Sequence, residues 1–291
     1  PEGSPFDLGN DEAYRKWRDH KLATVPPSLD ALIVEIRDIS NLSKAEISAI
    51  KSCVRDCNMA IYACRQICPY EKNEIRELGR TFGLEQLDHN MGADDEGITE
   101  LEVKTDGAHK RYIPYTDHAI HWHTDGYYNT PEKSIRGMLL HCVEPAIRGG
   151  ENALLDHELA YIHLRDLNPD FIRAMMQTDA MTIPANVVDG VELRPDRGGP
   201  VYSVDAEGFL HMRYTERARN IIWKDDPVLN AALEALSDLM HSGASPVFHG
   251  TLQSGQGLIC NNVLHNRSGF EDDEIHTRLL YRLRYYERVT H

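Results

Sequence analysis

The sequence predicts a mainly β protein with flanking helices (α+β), its strands either closed on themselves or stacked as a sandwich. Three observations lead there. Short strand-length runs recur along the chain, among them ALIVEIRDI (31–39), MAIYAC (59–64), SIRGMLLHCV (134–143) and GQGLICNNV (255–263), apolar throughout or alternating as buried and half-buried strands do. Helical spacing is confined to a few segments, and short strands outnumber them. No stretch repeats another, and 291 residues suffice for two average domains or for one large β barrel or sandwich with decorations, between which composition alone does not choose. The expected organisation is an N-terminal arm with a short helix over 1–30 and a single domain over 31–291. That domain carries a helical insertion at about 157–178 and a further helix at about 226–242.

In chain order, DEAYRKWRDHKL (11–22) reads as a helix with Tyr14 and Trp17 on one side, stopped before Pro26 and Pro27. SKAE (43–46) is a capping box: Ser43 accepts from the backbone three residues on, and Glu46 reaches back. Ile47, Ile50, Val54 and Cys57 then follow at helical spacing. YEKNEIRELGRTFG is a helix with Ile75, Leu78 and Phe82 inward and Gly83 as its stop. Residues 88–110 turn polar around one short strand, ITELEVK, and a loop of that length running into the 121–129 stretch predicts a cover. EPAIRGG turns the chain. HELAYIHLRDL and PDFIRAMMQT are two helices parted at Asn168-Pro169, with His157 and His163 as packed or surface residues. VYSVDAEGFLHMRY is a hairpin on DAEG. In DPVLNAALEALSDLMHSG, Asp226 caps a helix and Pro227 occupies its first turn. Leu229, Leu233, Leu236 and Met240 line one face, and Gly243 ends it. PVFHGTL, GQGLICNNV and HTRLLYRLRYYERV are the last strands.

The formal net charge of −15 argues against a general nucleic-acid or anionic-membrane surface. No apolar run approaches the ~20 residues of a membrane helix, and no basic-then-apolar start marks a signal peptide. A soluble, cytoplasmic protein is expected. The six cysteines match no zinc spacing and read as small core residues in a reducing cell.

Chemistry concentrates in HWHTDGYYN (121–129). If the stretch is extended, His123 and Asp125 point to one side, as two metal ligands must. The third ligand is sought in His265, in NNVLHNRSGF after a predicted strand. Two histidines and a carboxylate on one side of an ion leave three adjacent positions open, the arrangement of non-haem Fe(II) oxygenases. His118 and His121 are rival ligands. Extended geometry does not eliminate His121, which is read as lying outside the ligand set. Arg278, Arg282 and Arg284 share a strand face and cannot all be buried without partners; Arg284 is read as exposed or salt-bridged. Arginine's planar, permanently charged fork suits a carboxylate anchor.

HWHTDG, SIRGMLLHCVEPAIRGGEN, VLHNRS and RLLYR together resemble the taurine dioxygenase and clavaminate synthase group (TauD/TfdA) of Fe(II)- and 2-oxoglutarate-dependent oxygenases. The resemblance runs from about residue 31 to 288. It implies a double-stranded β-helix (jelly roll, clavaminate synthase-like) with His123, Asp125 and His265 as the catalytic, iron-binding residues. It also implies that Arg278, 13 positions after His265 (278 − 265), holds the distal carboxylate of 2-oxoglutarate, and that Arg282 meets an anionic group of the substrate. Where the group commonly has a threonine after its GGE or GGD turn, this chain has Asn152, whose amide can donate to the same carboxylate. The presence of Asp125 excludes halogenation. Hydroxylation comes first among the reactions that remain, before desaturation and oxidative cleavage, with O2 consumed and succinate and CO2 released.

Candidate substrate contacts are His89 and Asn90 in the cover, Tyr127, Tyr128 and Asn129 beyond the ligands, Arg213 in the hairpin, and Arg282. For the tyrosines, core packing is the equal alternative. Cations and donors around one iron favour a small polar substrate, anionic or amino-acid-like. The competing reading is a non-catalytic metal- or ligand-binding jelly-roll protein. A structural zinc is closed by four protein ligands, and only three are well placed.

Overall fold

In the computed structural model, residues 3–66, 69–89, 93–95, 97–105, 112–244 and 246–290 are described. Their contacts gather into two compact units, one of 26–121, 135–154 and 248–291, the other of 1–25, 122–134 and 155–247.

The first unit is built on a six-stranded sheet in the order Ile33–Ile36, Met59–Cys64, Gln256–Cys260, Gly137–Glu144, Leu279–Tyr285, Thr99–Leu101. Only its first pair is parallel, and the helix Lys44–Cys57 makes the crossover that parallel strands require. The capping box forms as the sequence predicts: Glu46 N donates to Ser43 Oγ at 3.1 Å and Ser43 N to Glu46 Oε1 at 3.3 Å. Alternation along the strands sends Leu139, Ile259, Leu283 and Tyr285 to one face, where Ile50 and Val54 of that helix and Ile75 and Leu78 of the helix Lys72–Thr81 cover them. Met138, Leu140, Leu258, Cys260 and Leu280 pack on the other face. Both faces are therefore apolar, which is why these strands read as nearly continuous hydrophobic runs. ALIVEIRDI is strand only over Ile33–Ile36, because Leu29–Leu32 closes into a 3-10 turn.

A four-stranded sheet orders Phe248–Gly250, Asn152–Leu155, Leu264–Arg267 and Ile120–His123. Leu264–Arg267 is a strand that the sequence reading lacks; LHNR has no alternation to announce it. Asn262, at φ +51, turns the chain out of Gln256–Cys260 and into it.

The second unit holds the helices Asp11–Ala23, His157–Leu167, Pro169–Met175 and Pro227–Met240. Phe6, Tyr14 and Trp17 gather edge-on around Tyr161, and Arg165 lies 3.8 Å over the Tyr14 ring. In Pro227–Met240, Leu229, Ala232, Leu236, Leu239 and Met240 are buried, whereas Leu233 is only half-buried. The hairpin Tyr202–Val204 with Leu210–Met212 turns at 205–209, as expected. A second hairpin, Asn186–Val188 with Val191–Arg194, was not anticipated, although Asp189-Gly190 at φ +51 and +78 is the usual two-residue signal for one. It follows Met181–Ile183, which pairs with both Arg197–Gly199 and Ile222–Trp223. Of the cysteines, Cys53, Cys57, Cys64, Cys142 and Cys260 form no disulfide among the described residues and are at least half-buried; Cys68 lies outside the described residues. No helix among the described residues is long and apolar enough to cross a membrane.

Candidate metal centre

The strand Ile120–His123 ends at His123, and Asp125 lies in the turn beyond it. Strand alternation is therefore not what pairs them. The turn is set by backbone from 214–216: Glu216 N donates to Trp122 O at 2.9 Å, Thr124 N to Tyr214 O at 3.0 Å and Tyr214 N to Thr124 Oγ1 at 3.1 Å. Gly126, at φ +66, folds the chain back. The Asp125 Oδ1 atom ends 3.2 Å from His123 Nε2, and Asp125 is only 5% exposed.

His265 is buried in the strand Leu264–Arg267, with its Nδ1 atom 2.8 Å from Val263 O. A carbonyl only accepts, so Nδ1 carries the proton and Nε2 keeps a lone pair for a metal. His123, Asp125 and His265 each offer one ligand atom, all within 4.8 Å of one another, and no other such group occurs among the described residues. His118 and His121 are exposed and outside it. Two imidazoles and one carboxylate fit Fe(II), and three protein donors leave positions for a co-substrate.

Arg278 immediately precedes the strand Leu279–Tyr285 and is 4% exposed. Its guanidinium lies 5.0 Å over the Phe270 ring, its backbone N–H donates to Asp272 Oδ1 at 3.0 Å, and its buried Nη1 has no hydrogen-bond partner among the described residues. Burial pulls its pKa below the usual arginine value. A cation held this way fits an incoming carboxylate, since a buried donor without an acceptor is costly. Arg267, missed in the sequence, lies 4.8 Å from the same ring and donates through Nη2 to Thr116 O and His118 O. Burial first, and then the charge of Arg278, pushes it down to about 9. The signal for Arg267 was its place two residues after His265, on the same strand face.

Asn152 opens the strand Asn152–Leu155 and donates one amide N–H to Asn266 O at 2.9 Å, while Asn266 Oδ1 accepts from Ala153 N at 2.9 Å. One N–H of Asn152 remains beyond that bond. Arg282 is half-buried in the last strand. Arg284 is buried and salt-bridged, as one of its two readings had it: its Nη2 lies 2.6 Å from Asp88 Oδ2, and Tyr286 donates to Asp88 Oδ1 at 2.7 Å.

Tyr127 is half-buried and Tyr128 exposed, their rings 5.2 Å apart. Asn129 fastens the turn, donating from its backbone N to Gly126 O and from Nδ2 to Lys133 O, each at 2.9 Å. The Arg213 guanidinium is taken up by the carbonyls of Tyr127, Met181 and Arg197, each at 2.7 Å, and burial lowers its pKa to about 10. His89 is exposed, and Asn90 lies outside the described residues, as does much of the expected cover.

Residues 25–284 match the model of the taurine catabolism dioxygenase TauD, TfdA family. The chain belongs to this family. The family is named for a dioxygenase, in keeping with the chemistry that the sequence motifs imply. Among relatives of this family member, a uridine-5'-phosphate dioxygenase of a Streptomyces species is 29% identical over 215 residues, which are 72% of this chain and 77% of that enzyme. A uridine-5'-phosphate dioxygenase of an Amycolatopsis species is 28% identical over 171 residues; the match spans 57% of this chain and 60% of that enzyme's length. The non-heme iron oxygenase OrfP, solved with Fe and α-ketoglutaric acid, has the same fold at TM-score 0.60 and 14% identity, over 85% of this chain and 81% of OrfP.

Proposed function

We propose that the whole protein hydroxylates a small, polar, anionic molecule, and that its domain is the double-stranded β-helix of TauD/TfdA oxygenases. Bound iron and 2-oxoglutarate supply the oxidising power, with O2 consumed and succinate and CO2 released. His123, Asp125 and His265 hold the metal. Arg278 takes the distal carboxylate of 2-oxoglutarate; the neighbouring charge of Arg267 and the second N–H of Asn152 favour the same anion. Arg282 meets the anionic group of the substrate, and Tyr127, Tyr128, Asn129 and His89 border it.

The observation that carries this reading is the group of three donors, His123, Asp125 and His265, whose ligand atoms lie within 4.8 Å of one another. Both uridine-5'-phosphate dioxygenases above act on a phosphomonoester, so uridine-5'-phosphate is the first compound to try. Anaerobic addition of Fe(II) and 2-oxoglutarate should raise the visible charge-transfer band of the chelate. O2-dependent succinate release should then respond to uridine-5'-phosphate or to a small carboxylate or sulfonate. A response restricted to apolar, uncharged compounds would overturn the substrate class. Near-native turnover in Asp125→Ala or His265→Ala would overturn the metal centre. Absence of both band and turnover would favour the non-catalytic reading.

A further inference from the structure

Asp125 has no secondary structure of its own to hold it, because its strand ends two residues earlier. It is gripped instead from 213–216, on both of its flanks. On the N-terminal side Tyr214 exchanges two hydrogen bonds with Thr124, through the backbone carbonyl in one direction and the threonine hydroxyl in the other. On the C-terminal side this segment supplies the Arg213 side chain: Nε donates to Tyr127 O at 2.7 Å. The same guanidinium spends Nη1 on Met181 O and Nη2 on Arg197 O, both at 2.7 Å. These two carbonyls belong to the paired strands Met181–Ile183 and Arg197–Gly199, whose register sets Met181 opposite Gly199. Gly199 is where the guanidinium passes: a Cβ built there would stand 3.2 Å from Arg213 Nη1.

A flat, rigid fork with three carbonyls at its three nitrogens fixes the relative position of the segments that supply them. Every nitrogen of the fork holds a carbonyl, which leaves two of its five N–H groups. We infer that Arg213 is a positioning residue for the metal centre, locking the 125–129 turn to the strands at 181 and 197 so that the Asp125 carboxylate is held at its ligating place. The inference rests on Asp125 being an iron ligand. It changes the expectation for Arg213 from substrate contact to metal affinity, and it gives the 181–199 strands a part in iron binding without a ligand among them. Outer partners that orient metal ligands typically change metal affinity 10- to 100-fold when removed.

The test uses the full chain and measures anaerobic Fe(II) affinity, the intensity of the Fe(II)·2-oxoglutarate band and Tm for Arg213→Met, Arg213→Lys and Asp125→Ala. Arg165→Met is the control, because Arg165 is a comparable fork, bonded to Pro5 O, Asp7 O and Tyr161 Oη, that bonds none of residues 122–129. Arg213→Met is expected to weaken Fe(II) at least tenfold, at temperatures where its fold is intact, and to dim the band. Arg213→Lys should recover part of this, since one nitrogen cannot span three carbonyls. Arg165→Met should lower Tm and leave Fe(II) affinity unchanged. Fe(II) affinity within twofold of wild type in Arg213→Met, or in Arg213→Lys should the methionine variant fail to fold, overturns the inference, as does an equal loss in Arg165→Met. If Asp125→Ala itself binds Fe(II) normally, the metal centre is wrong rather than the clamp alone.

Discussion

Arg267 and Arg278 hold their guanidinium carbons 4.8 and 5.0 Å from the centre of one ring, that of Phe270. Both side chains are buried, at 4% exposure each, so two positive charges share an apolar wall in a place water scarcely reaches. Arg267 gives its Nη2 donors to the carbonyls of Thr116 and His118, while its buried Nε and the buried Nη1 of Arg278 have no acceptor among the described residues. Like charges side by side raise the cost of burial, and a dicarboxylate relieves it.

From this geometry, Arg278→Ala is expected to weaken 2-oxoglutarate binding by about 10- to 100-fold, the range of a charge-assisted hydrogen bond at 1.5–3 kcal/mol. Iron binding should survive. Anaerobic calorimetry with Mn(II) in place of iron separates the two, and unchanged 2-oxoglutarate affinity would move the anchor elsewhere. Arg278→Lys should restore only part, because a point charge cannot reproduce a bidentate fork.

Lys21 is 4% exposed and reaches from the helix Asp11–Ala23 to the start of His157–Leu167, where Nζ stands 2.6 Å from Asp156 Oδ2 and 2.8 Å from Glu158 Oε2. Asp156 is fully buried and also caps that helix by accepting from Glu158 N. Lys21→Met strands the aspartate, and removing one partner of a buried pair costs about 3–5 kcal/mol. Urea unfolding should show that loss. Lys21→Met combined with Asp156→Asn, which keeps a capping side chain, should regain at least half. A loss under about 1 kcal/mol in the single variant would mean that water reaches the pair.

His141 is 2% exposed in the strand Gly137–Glu144, with Nδ1 2.8 Å from Tyr62 Oη, and burial pushes its pKa from 6.5 down to about 4. Unfolded, this histidine takes a proton near pH 6.5; folded, it resists until about pH 4. The unfolded state therefore binds more protons within that window, so stability is full above it and falls as pH drops through it. The loss at this one site approaches about 3 kcal/mol, at 1.36 kcal/mol for each pH unit. The difference in unfolding free energy between pH 7 and pH 4.5 should be smaller in His141→Phe than in the parent. Parallel pH profiles would show that His141 does not titrate in this way.

The parts legible in the chain are those whose cause is local. Ser43 and Glu46 lie three residues apart and close their capping box within one turn, and Asp226 with Pro227 starts the helix Pro227–Met240 as a contiguous signal. Leu233 departs from the expected stripe because which residues of an apolar face are buried depends on what packs against it. Leu264–Arg267 escaped detection because its pairing partners, rather than its side chains, make it a strand.

The sequence by itself determined the family, the residue types of the candidate metal centre and the spacing of Arg278 from His265, since motif chemistry survives in linear order. Only the tertiary structure decided what each polar group is left to do. His265 Nδ1 is committed to Val263 O, Arg284 to Asp88, and Arg213 to three carbonyls drawn from residues 127, 181 and 197. Arg278 is left with its buried Nη1 lacking an acceptor among the described residues. The physical reason is that a side chain's donors are spent on whichever acceptors folding brings within about 3 Å, and distance along the chain does not encode that proximity.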